Sequence, residues 1–557
     1  MNVSSGHYYH PTPWGTQFEA LTLPEMFRRA MLSRADSPLL HFLGRDYSYN
    51  ELYIDAQLFA SALTERGIVK GDRVGLFLPN VPTYVAAYYG AMMAGAVAVN
   101  FSPLYTAHEL AHQVADSGTR LLVTVDVPQL YQTARQVLAE SELESLVICE
   151  LAAMLPWHRR IAMKLFARGQ IAKVEYGSDV LRWGDLLGAA GEAPKRALDP
   201  SDIALLQYTG GTTGTPKGAM LSHANLTINA QQVAALNPFG DPEGEVFMGA
   251  LPFFHVFANT ALLNHAVVSG ASIAMVPRFE ARQVQTTIGR QHATGFPGVP
   301  TMFQALLDHP SFSPADYSSL KVCISGGAPL SAPLREKWEE RTGVRLVEGY
   351  GLTESSGVVS ANPYEGKRKP GTIGQVVAGT EVLLLDKADP ARLAPAGEPG
   401  ELAVHGPQIM QGYWKRPEAT QEVFIERDGK LWLRTGDVAV IDDEGFIQIV
   451  DRIKDMIAVG GFKVFPSEVE KVLLQHPAIK EALVLGLPDD YTGEKPHAFV
   501  TLLGGVAMDS DEILSWTNER LGKHERLASV TQRKSLPQTL IGKLDRKALK
   551  AEVLGTQ

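Results

Sequence analysis

Short apolar runs alternate with helix-length stretches through the first four hundred residues of the chain. Runs at 74–78, 97–99, 121–125, 203–207, 273–276 and 322–324 have the length and the Val, Ile and Leu content of buried strands. The stretches between most neighbours are long enough for a helix, the rhythm of βαβ units in a largely parallel sheet covered on both faces. Two passages, 75–107 and 246–277, carry no Asp, Glu, Lys or Arg. Neither reads as a membrane span, because Pro79, Asn80 and Pro82 interrupt the first and Pro252, His255, Asn259 and Asn264 the second. Both read as strand–helix–strand passages inside a large α/β body.

From about residue 382 the rhythm changes. Close-spaced runs at 382–385, 401–405, 438–441 and 446–450, separated by Gly, Pro and Asp turns, predict a small antiparallel or barrel-like unit. After Asp451 a compact α+β pattern follows, with helices over 466–475 and near 511–521 and strands at 482–485 and 498–503. The charged segment DRIKD, 451–455, marks the main boundary, giving domains of 1–453 and 454–557.

One segment stands apart. LPWHRRIAMKLFARGQIAKV, 155–174, concentrates Arg159, Arg160, Lys164, Arg168 and Lys173 around Trp157, Ile161, Leu165 and Phe166. At helical spacing 157, 161 and 165 share one face, and 160, 164 and 168 form a basic stripe beside it. Such a helix either packs on its domain with a solvated basic side or lies on an anionic membrane surface.

Charge sharpens this picture. Against 51 Lys and Arg stand 61 Asp and Glu in 557 residues, a net −10, which lacks the basic footprint of a nucleic-acid binder and leaves only a local patch for anionic lipid. The two cysteines, Cys149 in LVICE and Cys323 in LKVCIS, are too few for a disulfide framework or a four-cysteine zinc site and read as small buried hydrophobes. MNVSSGHYYHPTPWG has neither the basic start nor the apolar run of a secretory signal, so a cytoplasmic protein is expected.

The chemistry-bearing segments fall in one order. YTGGTTGTPKG, 208–218, follows the strand at 203–207. Gly210, Gly211 and Gly214 let backbone amides approach an anion, Thr209, Thr212, Thr213 and Thr215 add hydroxyls, and Lys217 adds a point charge. That inventory suits a polyphosphate, although Pro216 occupies the place of the glycine before the lysine in the Walker pattern. SGGAPL (325–330) and EGYGLTE (348–354) are ordinary strand-end turns taken alone, but ligands of open α/β sheets bind at carboxyl ends of strands. Glu354 is a candidate Mg2+ ligand. TGD (435–437) supplies the carboxylate Asp437, with Arg452 fifteen residues on. LPQTLIGKLDRKAL holds Lys543 and taken alone is a charged C-terminal helix.

Together these segments resemble the adenylate-forming (AMP-binding) superfamily over nearly the whole chain. The resemblance is closest to bacterial long-chain fatty acyl-CoA synthetases, through LLQYTGGTTG, SPLYT (102–106), GPQIMQGYWKRPEAT (406–420) and WLRTGDVAVIDDEGFIQIVDRIKDMIAVGGFKVFPSEVE (432–470). It implies an α/β fold with a large multi-subdomain N-terminal body of αβαβα-type sheets plus a small β-barrel-like unit, and a small mobile α+β C-terminal lid. It also implies roles. Thr209 to Lys217 hold the ATP β- and γ-phosphates; Gly326, Gly327 and Ala328, with Gly349, Tyr350 and Gly351, wrap the adenine. Thr353 meets the α-phosphate, Glu354 binds Mg2+, and Asp437 and Arg452 take the ribose hydroxyls. His255, Gly298 and Val299 line the channel of acyl chain and pantetheine. Lys543 serves adenylation, Lys454 is the pivot between two domain orientations, and Gly460, Gly461 and Phe462 replace Lys543 for the thioester step. Asn259 stands where some members place a bulky gating aromatic.

The activity so implied is a fatty acid–CoA ligase that uses ATP and CoA. Other readings are an acyl-AMP ligase loading a carrier protein, a CoA ligase for dicarboxylic or aromatic acids, a luciferase-like oxygenase, and a noncatalytic acyl-nucleotide binder. The uncharged passage 246–277 and GVPTMFQALL (298–307) are expected to line the acyl pocket. The assembly expected is a monomer or homodimer, with the 155–174 segment offering peripheral membrane contact.

Overall fold

The computed structural model describes residues 8–555, except 167, 192–195, 210–215, 241–243, 388, 460–461, 490, 505 and 540–543; of 164, 166, 168, 454, 462 and 463 it describes the backbone alone. By contact, the chain forms two compact units. The larger comprises 8–380 and 406–422; the smaller comprises 381–405 and 423 onward.

The larger unit holds two sheets. In one, seven strands lie side by side in the order Val180–Arg182, Ser145–Cys149, Thr119–Val125, Arg73–Leu76, Val97–Asn100, Ile203–Thr209 and Lys217–Ser222. All pair in parallel except the last two. The other has nine strands, and its middle runs Leu346–Tyr350, Val322–Ser325, Gly295–Gly298, Val246–Gly249 and Ser272–Met275, all parallel. The expected βαβ rhythm is therefore present: Arg73–Leu76 leads through the helix Pro82–Met93 to Val97–Asn100. That helix is apolar all round and buried, with Tyr84, Tyr88 and Tyr89 at 0% exposure, as the charge-free passage predicts. Cys149 and Cys323 are fully buried on strands of the two sheets, and desolvation pushes both thiols well above their ordinary pKa.

In the smaller unit, Glu381–Leu385, Gly400–His405, Phe424–Arg427, Lys430–Ile441 and Ile447–Arg452 form a wholly antiparallel five-stranded sheet. A second sheet of Ile457–Val459, Phe462–Val464, Ile479–Asp489, Gly493–Leu502 and Ser529–Gln532 packs against the helices Pro466–Leu473 and Ser510–Asn518. The fold is thus mixed α/β with a large N-terminal body and a small α+β C-terminal portion.

A helix forms at Trp157–Phe166 inside the 155–174 segment. It is not packed on the body by its apolar face. Trp157, Ile161 and Leu165 are 75%, 50% and 57% exposed, and of its other described side chains only Met163 is half-buried. No helix among the described residues is long and apolar enough to cross a membrane.

Candidate active site

Parallel strands point their carboxyl ends to one edge of a sheet, and three of the candidate segments begin there on adjacent strands. Val299 follows Gly295–Gly298, Gly326 to Ala328 follow Val322–Ser325, and Gly351 follows Leu346–Tyr350. The Gly326 amide donates to the Gly298 carbonyl at 3.0 Å, tying two of these ends together. Two glycines are required by geometry. Gly327 has φ +79°, and a Cβ on Gly351 would lie 2.0 Å from the Gly357 carbonyl oxygen. Thr353 and Glu354 then form a short 3-10 turn, followed by Ser356 in the left-handed region at φ 59°. Its hydroxyl donates to Gln408 O at 2.8 Å, and its carbonyl accepts from the Thr260 hydroxyl.

His255 caps the short helical stretch Val256–Ala258, its Nδ1 accepting from the Phe257 amide at 3.2 Å. A π-helical turn follows at Asn259–Asn264, a rare form found frequently at functional sites. Asn259 is fully buried, and its Oδ1 accepts from Tyr88 OH and from Asn264 Nδ2, both at 3.0 Å. It is built into the core rather than set as a gate. A narrow apolar cavity of about 30 Å³ nearby draws Phe247, Ala261 and His265 from 246–277 and Phe296, Pro297 and Ile324 from the strands, but nothing from 298–307.

Thr209 ends the strand Ile203–Thr209, and Lys217 opens the antiparallel strand Lys217–Ser222 opposite it. The glycine-rich segment therefore joins two strands of a hairpin, unlike the strand–loop–helix of a P-loop. Gly210, Gly211, Thr212, Thr213, Gly214 and Thr215 lie outside the described residues. Lys217 Nζ sits 5.2 Å from the centroid of the Tyr413 ring, and Tyr413 OH donates to Glu354 Oε1 at 2.7 Å. Burial and the adjacent Glu354 carboxylate hold the Tyr413 phenol well above its ordinary pKa, so the proton stays on tyrosine.

Asp437 and Arg452, fifteen apart in sequence, face each other across antiparallel strands of the smaller unit. Arg452 Nε donates to Asp437 Oδ1 at 2.8 Å; the aspartate side chain is 3% exposed and the arginine 45%. The 3-10 turn Ile453–Asp455 places Lys454 directly after this pair, and Phe462 opens the strand paired with Ile457–Val459. Gly460, Gly461 and Lys543 lie outside the described residues.

Among the described residues no three His, Cys, Asp or Glu side chains converge on a point. The donor set near Glu354 is one carboxylate beside a lysine suited to phosphate. That fits Mg2+, which takes one or two carboxylates and completes its octahedron with phosphate oxygens and water; it does not fit a closed zinc site.

A family model of AMP-binding enzymes matches residues 27–414, and one of the AMP-binding enzyme C-terminal domain matches 468–543. The chain belongs to the AMP-binding enzyme family. Within the family it is 37% identical to a long-chain-fatty-acid–CoA ligase of Bacillus subtilis, over 97% of this chain and 98% of that one. It is 36% identical to a long-chain-fatty-acid–CoA ligase of Escherichia coli, over 96% and 95%. Among solved structures, an anthranilate CoA ligase in complex with anthranoyl-AMP superposes with a TM-score of 0.84 at 27% identity, over 97% of this chain and 100% of that one.

Sequence alone gives Tyr413 no role. It lies in the quoted segment 406–420, far along the chain from Glu354, and neither periodicity nor spacing links the two. The signal available was that segment's place in the family resemblance.

Proposed function

We propose that the protein is an ATP-dependent fatty acid–CoA ligase that forms an acyl adenylate with release of pyrophosphate and then passes the acyl group to CoA. The observation that carries this reading is the opening of three glycine-bearing segments at adjacent strand ends, with Thr353 and Glu354 immediately beyond. A medium- or long-chain carboxylate is favoured by the identity to long-chain relatives and by the apolar character of 246–277. The aromatic alternative has its support in the likeness to the anthranilate ligase.

A carboxylate is a poor acyl donor because oxide is a bad leaving group. Attack of a carboxylate oxygen on the α-phosphorus of ATP expels pyrophosphate; the CoA thiol then attacks the acyl carbon, and AMP leaves with the electron pair of the broken bond. The first barrier is dominated by repulsion between two anions, so positioning and charge do most of the work. In this reading Lys217 and the 209–215 backbone hold the β- and γ-phosphates, and Thr353 meets the α-phosphate. The adenine is wrapped by Gly326 to Ala328 and Gly349 to Gly351. Asp437 accepts from the ribose hydroxyls with Arg452 beside it. Glu354 would hold Mg2+, whose charge offsets that of the triphosphate when bound. Lys543 serves the first step and Gly460, Gly461 and Phe462 the second, with Lys454 as the pivot that opens the 454–557 domain. His255, Gly298 and Val299 line the thiol and acyl passage. No protein nucleophile is needed, because CoA brings the thiol.

The protein is read as cytoplasmic and as a monomer or homodimer. Peripheral membrane contact is assigned to 155–174: Trp157, Ile161 and Leu165 stand in solvent beside Arg159 and Arg160, suited to anionic lipid. Binding to vesicles containing phosphatidylglycerol should weaken with salt and vanish in an Arg159→Ala/Arg160→Ala/Lys164→Ala variant; unchanged binding removes this contact. The function itself is tested by ATP- and CoA-dependent AMP release across acids from acetate to stearate, with dicarboxylic and aromatic acids included. Turnover should rise with chain length. AMP release with no acid, or only with a carrier protein in place of CoA, would overturn the reading.

A further inference from the structure

Lys217 and Glu354 carry opposite charges, and one side chain, Tyr413, touches both. Its hydroxyl donates to Glu354 Oε1 at 2.7 Å, and Lys217 Nζ lies 5.2 Å from its ring centroid. Among the described residues neither Lys217 nor Glu354 is in an ion pair. A lysine and a glutamate so close to a common side chain would ordinarily attract each other, and direct pairing would blunt the lysine toward phosphate and the carboxylate toward a cation. The phenol prevents this without adding charge. It satisfies one carboxylate oxygen with a neutral donor and offers the lysine the negative face of its ring.

Tyr413 is itself held firmly. It is 7% exposed. Its segment is laced to the strand Lys217–Ser222 by Trp414 N to Gly218 O at 2.8 Å and Met220 N to Gly412 O at 2.9 Å. The same segment is tied to the Glu354 turn by Met410 N to Glu354 O at 2.8 Å. On its far side Arg416 pairs with Asp116 at 2.7 Å, and the Tyr413 amide donates to the Thr420 hydroxyl at 2.9 Å. These bonds fix the main chain that carries the ring.

We propose that Tyr413 is a positioning residue that keeps Lys217 and Glu354 apart and aimed, so that the lysine stays available to the triphosphate and the carboxylate to its divalent cation. This rests on the roles assigned above to Lys217 and Glu354. The step it serves is adenylation; Tyr413 itself touches neither reacting atom.

The test uses the full-length protein with a non-hydrolysable α,β-methylene ATP analogue and Mn2+ as the probe. Mn2+ affinity is read by electron paramagnetic resonance, and metal-free analogue affinity is read separately. Tyr413→Phe keeps the ring and loses the donor. It should weaken Mn2+ binding about tenfold, the size expected for one hydrogen bond to a charged group, while metal-free analogue affinity stays within about twofold. Tyr413→Leu removes ring and donor together and should weaken both affinities, because lysine and glutamate can then pair. Glu354→Gln is the reference. Wild-type Mn2+ affinity in Tyr413→Phe, alongside a loss in Glu354→Gln, would overturn the positioning role alone. No change in Glu354→Gln would remove the metal role of Glu354, and the proposal with it. Matching unfolding transitions for Tyr413→Phe and wild type exclude a general loss of structure, which Tyr413→Phe is too conservative to cause.

Discussion

Two polar networks, one in each unit, are built from opposite kinds of group. In the larger, the network around Tyr84 and Asn100 is neutral. The single Tyr84 O–H proton is shared between Asn100 Oδ1 at 2.8 Å and Phe253 O at 2.9 Å, and Asn100 Nδ2 donates to Gln207 Oε1 at 3.0 Å. Gln207 Nε2 reaches Phe254 O at 3.0 Å, while Tyr89 OH donates to Asn264 Oδ1 at 2.8 Å. In the smaller, a half-buried cluster is ionic. The Arg546 guanidinium donates to Asp455 at 2.9 Å and to Glu470 at 2.6 Å, and Glu470 also accepts from the Val484 amide at 2.7 Å. The neutral network fixes the strand that leads into the glycine-rich hairpin against the residues preceding His255. The ionic one joins Asp455, next to Lys454, to the start of the C-terminal helix, three residues after Lys543. Neutral amides and phenols, once paired, specify one arrangement at little desolvation cost. An ion cluster partly shielded from water is costly to leave half-made, so it couples its elements.

Breaking the ionic centre should give the largest effect. Arg546→Ala leaves Glu470 and Asp455 without their cation and should cost the smaller unit about 2–3 kcal/mol. Hydrogen exchange should then accelerate along Ile479–Asp489 while Val97–Asn100 keeps its protection. Equal acceleration in both strands would erase the contrast.

Acid should act on the two units through different groups. Burial holds His10, His223 and His265, all in the larger unit, at about 4, below their ordinary 6.5. They stay neutral in the fold while the unfolded chain takes up protons, so their contribution is whole above pH 6.5 and is lost as pH falls toward 4. Each histidine contributes a slope of about 1.4 kcal/mol per pH unit in that window. Asp55, raised by burial to about 6, offsets part of this. In the smaller unit burial raises Asp451 and Glu470 above their ordinary values. Their folded forms take up protons first, so the fold gains stability from them as pH falls, while His497, lowered by burial, acts the other way. Denaturant unfolding between pH 7 and 4.5, followed unit by unit through exchange, checks both signs. His265→Phe should flatten the larger unit's slope by about one proton.

The smallest effect belongs to the neutral network. Tyr88→Phe deletes one donor, and Asn259 Oδ1 keeps Asn264 Nδ2. A loss of about 1 kcal/mol confined to the larger unit is expected from chemical denaturation. A loss as large as that of Arg546→Ala would remove the distinction.

The parts of this architecture legible in sequence are those with a local signature. The strand expected at 121–125 lies within Thr119–Val125, and that at 322–324 within Val322–Ser325, because buried parallel strands leave unbroken apolar runs. Helix 466–475 forms as Pro466–Leu473, its start marked by Pro466. Pro38–Phe42 was missed as a strand: its partner is Ser272–Met275, more than two hundred residues away. The π-helical turn at Asn259–Asn264 was missed because no residue period announces it, only the geometry that packs Asn259 against Tyr88. Of the candidate residues, Asp437 and Arg452 stand out by motif and meet across a strand pair of the smaller unit, whereas Tyr413 reads as one more aromatic until the fold sets it against Lys217 and Glu354.

The central claim is that an acyl adenylate forms before the thioester. Palmitate labelled with 18O in both carboxylate oxygens, turned over with ATP, Mg2+ and CoA, tests it directly by mass spectrometry of the products. Bond formation between a carboxylate oxygen and the α-phosphorus predicts one 18O in each AMP and none in pyrophosphate. Label in orthophosphate, or unlabelled AMP alongside acyl-CoA, would contradict it.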